Sequence, residues 1–247
     1  MSKKAQRYTR KDKVRRQMKP TPKYQKSVEI VPQTEKQKDY LDALQYNDMV
    51  ICTGCAGTGK TYLAVSFACH LYLTGQISQI ILTRPIIAAG GSSLGSFPGE
   101  KVEKMTNWMG PVLSVMRKHF GAQKVEAMVA AGEVVLEPFE TMRGMSFEDA
   151  FVLLDEAQNA SYEELKMFLT RVGENSITVI DGDVDQSDLG PESGLLRIIN
   201  TAKRHLLPVP VIEFGVGDIV RSDLCAMWIK AFAKETPQPV DCGARVA

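Results

Sequence analysis

Gly54-Cys55-Ala56-Gly57-Thr58-Gly59-Lys60-Thr61 places glycines, a lysine and a threonine at a spacing suited to gripping an anion. The pattern is G-x-x-x-x-G-K-T, that of a phosphate-binding P-loop. Glycine tolerates positive φ, so the backbone can curl its N–H groups around a phosphate, and a helix that follows adds the positive end of its dipole. Lys60 would then reach the β- and γ-phosphates of ATP, and Thr61 would offer its hydroxyl to Mg²⁺. Tyr62 follows directly and completes the set of residues expected along the nucleotide.

A second landmark is Phe151-Val152-Leu153-Leu154-Asp155-Glu156. Four apolar residues ending in two acids describe a central strand with carboxylates at its tip. Asp155 suits the Mg²⁺ shell and Glu156 suits a general base that polarises the attacking water. A third run, Ser176 to Ile180, leads into Asp181-Gly182-Asp183-Val184-Asp185-Gln186. Gln186 could sense the γ-phosphate and pass its loss to a nucleic-acid surface; a polar turn is the alternative.

Arg84 ends the buried run Gln79 to Thr83, which would deliver it to the carboxyl edge of a parallel sheet, where ligands bind; a surface arginine with no such duty is the alternative. Gln37 lies on a helix expected over Gln33 to Gln45. Its amide can donate and accept at once, as recognition of an adenine edge requires, although Gln33 competes for the role. Cys52 and Cys55 have zinc-ligand spacing, but no second pair follows and Cys55 sits inside the phosphate loop, so no metal is expected there. His70, His119 and His205 are scattered.

The elements that must position these residues alternate in type. Strands are expected at Met49–Cys52, Gln79–Thr83, Val134–Leu136, Phe151–Leu154, Ser176–Ile180 and Val211–Phe214. Helices are expected after the P-loop, over Lys101 to Phe120, Ala122 to Ala131, Gly194 to Arg204 and Val220 to Ala233. Another is opened by the capping box Ser161-Tyr162-Glu163-Glu164. The Gly/Ser-rich segment Ala88 to Gly99 reads as a mobile element over the site.

With 247 residues, 44% of them hydrophobic and 24% charged, the chain can bury one sizeable α/β core. No apolar run approaches the length of a membrane span, and no apolar signal core opens the sequence, so a cytoplasmic protein with no membrane partner is expected. Five cysteines without framework spacing fit a reducing compartment. The net charge of +1 is unevenly spread: residues 1–26 hold eleven lysines and arginines against Asp12, giving +10. The remainder, with 19 basic and 28 acidic residues, carries −9. This gives a disordered basic arm (1–29) suited to RNA or DNA phosphates, or alternatively a solvated tail that aids solubility or folds back on the acidic body, then a body (30–235) and a loose tail (236–247).

Leu82-Thr83-Arg84-Pro85, Leu94-Gly95 with Phe97-Pro98-Gly99, Leu154-Asp155-Glu156-Ala157-Gln158-Asn159, Met167 to Gly173, Gly182-Asp183 with Gln186, Ser193-Gly194-Leu195 and Asp218-Ile219-Val220-Arg221 follow the P-loop in one order. Together they resemble the PhoH family of P-loop ATPases, related to the first RecA-like domain of superfamily 1 helicases. The resemblance covers roughly residues 30–235. It implies a single-domain RecA-like α/β fold with a parallel β-sheet flanked by helices, Mg²⁺-dependent ATP hydrolysis, a link to RNA or DNA, and a ring-like homo-oligomer, a hexamer being one form. Such helicases complete the ATP site with arginines from a second domain. A neighbouring subunit would supply them here, with Arg171, Arg197, Arg204 and Arg221 as candidates, and the resemblance favours Arg221 and Arg171. A nucleotide-gated regulatory protein with slow turnover is the alternative. A small-molecule kinase would need an Arg-rich lid and an acceptor pocket, neither evident.

Overall fold

Successive residues of a β-strand face opposite ways, and in this chain that alternation sorts the strand side chains into two separate cores. Val50, Cys52, Ile80, Leu82, Phe151, Leu153, Ile177 and Val179 enter one. Ile51, Ile81, Val152, Leu154 and Ile180 enter the other. Strands apolar on both faces are those of a parallel sheet covered on both sides.

The computed structural model describes residues 28–86, 101–142, 144, 146–189 and 193–232. Most of the basic arm, the Gly/Ser-rich segment 88–99 and the C-terminal tail lie outside the described residues. Six strands form one sheet: β1 (Met49–Gly54), β2 (Gln79–Arg84), β3 (Val134–Pro138), β4 (Ala150–Leu154), β5 (Ile177–Gly182) and β6 (Val211–Phe214). Their order is β3-β2-β4-β5-β1-β6, and every neighbouring pair is parallel. All strand carboxyl ends therefore share one edge. Register then sets heights: Leu154 pairs with Ile180 and Cys52 with Asp181, so Asp155, Asp181 and the start of the P-loop arrive together.

Helices α1 (Glu35–Tyr46), α2 (Lys60–Leu73), α3 (Lys101–Trp108), α4 (Gly110–Phe120) and α5 (Ala122–Ala130) cover the first core. The second is covered by α6 (Tyr162–Leu169) and α7 (Gly194–Arg204). α2 is buried on nearly every face, from Leu63 through Cys69, which suits a helix that must hold the P-loop still. A last helix, α8 (Asp223–Phe232), presents Leu224, Met227 and Trp228 on the surface. The result is the expected single-domain RecA-like P-loop α/β fold. Among the described residues no helix is long and apolar enough to cross a membrane.

Two expected boundaries move for local reasons. The helix expected from Lys101 to Phe120 is two helices, because Pro111 lacks the N–H that would continue the first and is accommodated instead in the opening turn of α4. The last helix begins at Asp223 rather than Val220, because the Val220 N–H donates to the Gly57 carbonyl at 3.0 Å and is held on the P-loop.

Candidate active site

The P-loop is shaped where β1 meets β6. Gly54 has φ +125°, and a Cβ there would stand 2.0 Å from the Phe214 carbonyl oxygen, so any side chain would push the strands apart. Gly59, at φ +87°, turns the chain left-handed into α2, whose first residue is Lys60. Lys60 Nζ donates to the Gly54 and Cys55 carbonyls at 2.6 and 3.0 Å. Those bonds hold the ammonium over the loop. Thr58 is buried, with its hydroxyl donating to the Cys55 carbonyl at 3.0 Å. Ala56, at the loop's tip, is exposed.

Gln37 braces this loop from α1. Thr34 caps the helix by accepting from the Gln37 N–H at 3.1 Å, and the side chain is 3% exposed. Its Nε2 donates to the Thr58 carbonyl at 2.9 Å and its Oε1 accepts from the Gln33 N–H at 2.7 Å. Both ends of the amide are thus engaged within the chain. Tyr62 is partly exposed at the start of α2, with Lys118 Nζ 5.6 Å from its ring centroid.

Facing the loop, Asp155 follows β4 and Asp181 lies within β5, both buried. Thr61 Oγ1 lies 3.1 Å from Asp155 Oδ1 and 3.0 Å from Asp181 Oδ2, joining residues 94 and 120 positions apart. Arg84 Nη2 donates to Asp155 Oδ2 at 2.9 Å and Glu156 Oε1 at 3.0 Å. Burial raises the Asp155 carboxyl above its ordinary value, and the Arg84 guanidinium opposes that shift. Burial pushes Asp181 up to about 8, opposed by the Lys60 ammonium and reinforced by the charge of Asp155.

Glu156 adopts φ 56°, ψ 40°, a left-handed conformation that costs a side-chain-bearing residue about 1 kcal/mol. Arg84 holds one of its oxygens, and Gln158 Nε2 donates to the other at 2.6 Å. Gln158 is itself buried, and its Oε1 accepts from the Asp183 N–H at 3.0 Å. Gln186 lies in a short 3₁₀ turn, Val184–Gln186, and donates to Asp183 Oδ2 at 2.5 Å. It therefore meets the acids through Asp183 and Gln158. Neither Gln158 nor Asp181 is given a role by the sequence, though Asp181 ends an apolar run just as Asp155 does.

The arginines separate. Arg221 packs on its own P-loop: its Cγ lies 2.7 Å from where a Cβ on Gly57 would stand, beside the bond from Val220 to Gly57. Arg171 follows α6 at the opposite, amino edge of the sheet, where Asp149 donates to Glu174 and Ser78 to Asp149. Arg197 stacks on Tyr162, its guanidinium carbon 3.6 Å from the ring centroid, and lines with Arg204 an open groove of about 510 Å³ along α7.

An all-oxygen set of Thr61, Asp155 and Asp181 on a buried strand edge has the chemistry of a magnesium shell, and the adjacent loop has that of a triphosphate cradle. A family model described as PhoH-like protein matches residues 29–233. The PhoH-like protein of Bacillus subtilis (strain 168) is 41% identical over 212 residues, covering 85% of this chain and 65% of that protein. The PhoH-like protein of Mycobacterium tuberculosis (strain H37Rv) is 39% identical over 207 residues, covering 83% and 58%. Protein PhoH of Escherichia coli (strain K12) is 36% identical over 208 residues, also covering 83% and 58%. The chain thus spans about 58% to 65% of the length of these relatives. A crystal structure of the Pif1 helicase from Candida albicans aligns with TM-score 0.32 and 17% identity, over 75% of this chain and 40% of that one.

Proposed function

Because the chain belongs to the PhoH-like protein family, we propose that it binds ATP and hydrolyses it with Mg²⁺, in a cycle coupled to single-stranded RNA or DNA. The observation that carries this reading is the meeting of the P-loop hydroxyl of Thr61 with Asp155 beside Glu156. Lys60 exchanges its loop carbonyls for β- and γ-phosphate oxygens, while the N–H groups from Cys55 to Thr61 surround the anion. Thr61 and Asp155 would hold Mg²⁺, which when bound would supply charge that neutralises the phosphate oxygens. Glu156 takes the proton as water attacks the γ-phosphorus and the bond to the β,γ-bridging oxygen breaks, releasing ADP and phosphate. Gln158 holds Glu156 for that transfer, and Gln186 links it to the outer surface through Asp183.

Transition-state charge needs further cations. Arg84 and Arg221 supply them within one chain. Arg171, on the far edge of its own sheet, acts on a neighbouring subunit in a ring-like homo-oligomer. The +10 arm contacts nucleic-acid phosphates. A second reading, a nucleotide-gated binding protein with slow turnover, has one supporting observation: Arg84 clamps both acids at once. Steady-state phosphate release with single-stranded RNA or DNA, at several salt concentrations, separates the two. Coupling predicts a raised kcat that declines with salt and is smaller when residues 1–26 are removed. Turnover indifferent to nucleic acid supports the gated binder.

A further inference from the structure

Asp181 takes no part in the hydrolysis described above, yet it shares a threonine with the residue that does. Its side chain is 1% exposed, and its Oδ2 lies 3.0 Å from Thr61 Oγ1, the hydroxyl that also stands 3.1 Å from Asp155 Oδ1. A hydroxyl carries one proton and cannot satisfy both carboxylates. Asp155 has a second partner in Arg84 at 2.9 Å. Among the described residues no ion pair reaches Asp181, and Lys60 is bonded to the Gly54 and Cys55 carbonyls. A buried acid with so little compensation is unfavourable in its charged form unless a cation takes the place of its proton.

The sheet makes this arrangement rigid. Leu154 pairs with Ile180, so the two aspartates stand level on neighbouring parallel strands, with Thr61 across from both at the head of α2. Two carboxylates and a hydroxyl, all hard oxygen donors, suit a small divalent cation that keeps water on its remaining positions. The usual P-loop arrangement of one threonine and one acid leaves phosphate oxygens to complete the shell. Here a third protein oxygen stands ready.

We propose that Asp181 is a further cation-holding residue, and that Thr61, Asp155 and Asp181 bind a divalent cation before the nucleotide arrives. The proposal rests on reading this edge as the Mg²⁺–nucleotide site and adds an order of loading. Metal enters first, and its charge then helps draw the triphosphate into the loop.

Mn²⁺ titrated into the nucleotide-free full chain, followed by loss of the free-ion paramagnetic resonance signal, tests it. One saturable site per chain is expected, weakened about tenfold or more in Asp181→Asn, the scale seen when a group supporting a metal is removed. Asp181→Ser, smaller and also neutral, guards against a local packing effect of the amide. Near-ultraviolet circular dichroism identifies variants that keep the wild-type fold. Absence of a Mn²⁺ site in the nucleotide-free wild type overturns the proposal, as does unchanged affinity in both folded variants. ATP affinity measured in the presence of Mg²⁺ reports separately on the functional reading: absence of ATP binding with the Mn²⁺ site intact would fail that reading and spare this one.

Discussion

Strands β4 and β5 lie side by side, and each delivers a buried aspartate to the same threonine; among the described residues Asp155 has the Arg84 guanidinium beside it, and Asp181 has no such partner. The β4 tip is charge-compensated and continues into Glu156, strained and held from both sides. The β5 tip keeps its acid in the sheet and then turns outward through Asp183 to Gln186. Two similar apolar runs thus end in different chemistry. One is built to hold charge while a proton moves, the other to receive a cation and report outward.

The largest effects separate the tips. Glu156→Gln keeps the shape but removes the base, and should lower kcat by about 10²–10⁴-fold with nucleotide binding retained. Gln158→Ala leaves the base in place but removes the two hydrogen bonds, to Glu156 and from the Asp183 N–H, that join Glu156 to the β5 tip. It should lower kcat by about tenfold, the scale of one hydrogen bond to a charged group. Steady-state kinetics beside nucleotide titration measure both. Equal losses in the two variants would make Gln158 more than a positioning residue and blur the distinction between the tips.

A smaller effect appears in stability without metal. Asp181 titrates near 8 in the fold against 3.8 for an ordinary aspartate, so the folded chain binds a proton that the unfolded chain has released. That contribution is fully present below about pH 4 and is lost as pH rises through about 8. In chelator, the Tm of the wild type should therefore fall relative to Asp181→Asn between pH 5 and about 8.5. Parallel pH profiles for the two chains would mean that the β5 carboxylate is compensated after all.

Much of this was legible in the sequence because the signals are local. The P-loop, the apolar run ending in Asp155-Glu156, the capping box of Ser161 and Glu164, the helix Gly194–Arg204 and the strand Val211–Phe214 all lie where periodicity and end residues put them. The pairing of Asp181 with Thr61 was not legible, because it depends on β5 lying between β4 and β1. Gln37 reads as an amide for the adenine edge until α1 packs it under Thr58, and Arg221 reads as an arginine for a neighbouring subunit until Val220 is drawn onto Gly57. Such placements follow from strand order, a long-range property that neither residue type nor spacing encodes.

On this reading the P-loop and the two strand tips form one magnesium–nucleotide site. Isothermal titration of ATP into the full chain, with Mg²⁺ and with chelator, on wild type, Lys60→Ala and Asp155→Asn, tests it most directly. Mg²⁺ should tighten ATP binding to the wild type, Asp155→Asn should lose this gain, and Lys60→Ala should weaken binding in both conditions. Wild-type affinity indifferent to Mg²⁺, or undiminished in Lys60→Ala, would contradict it.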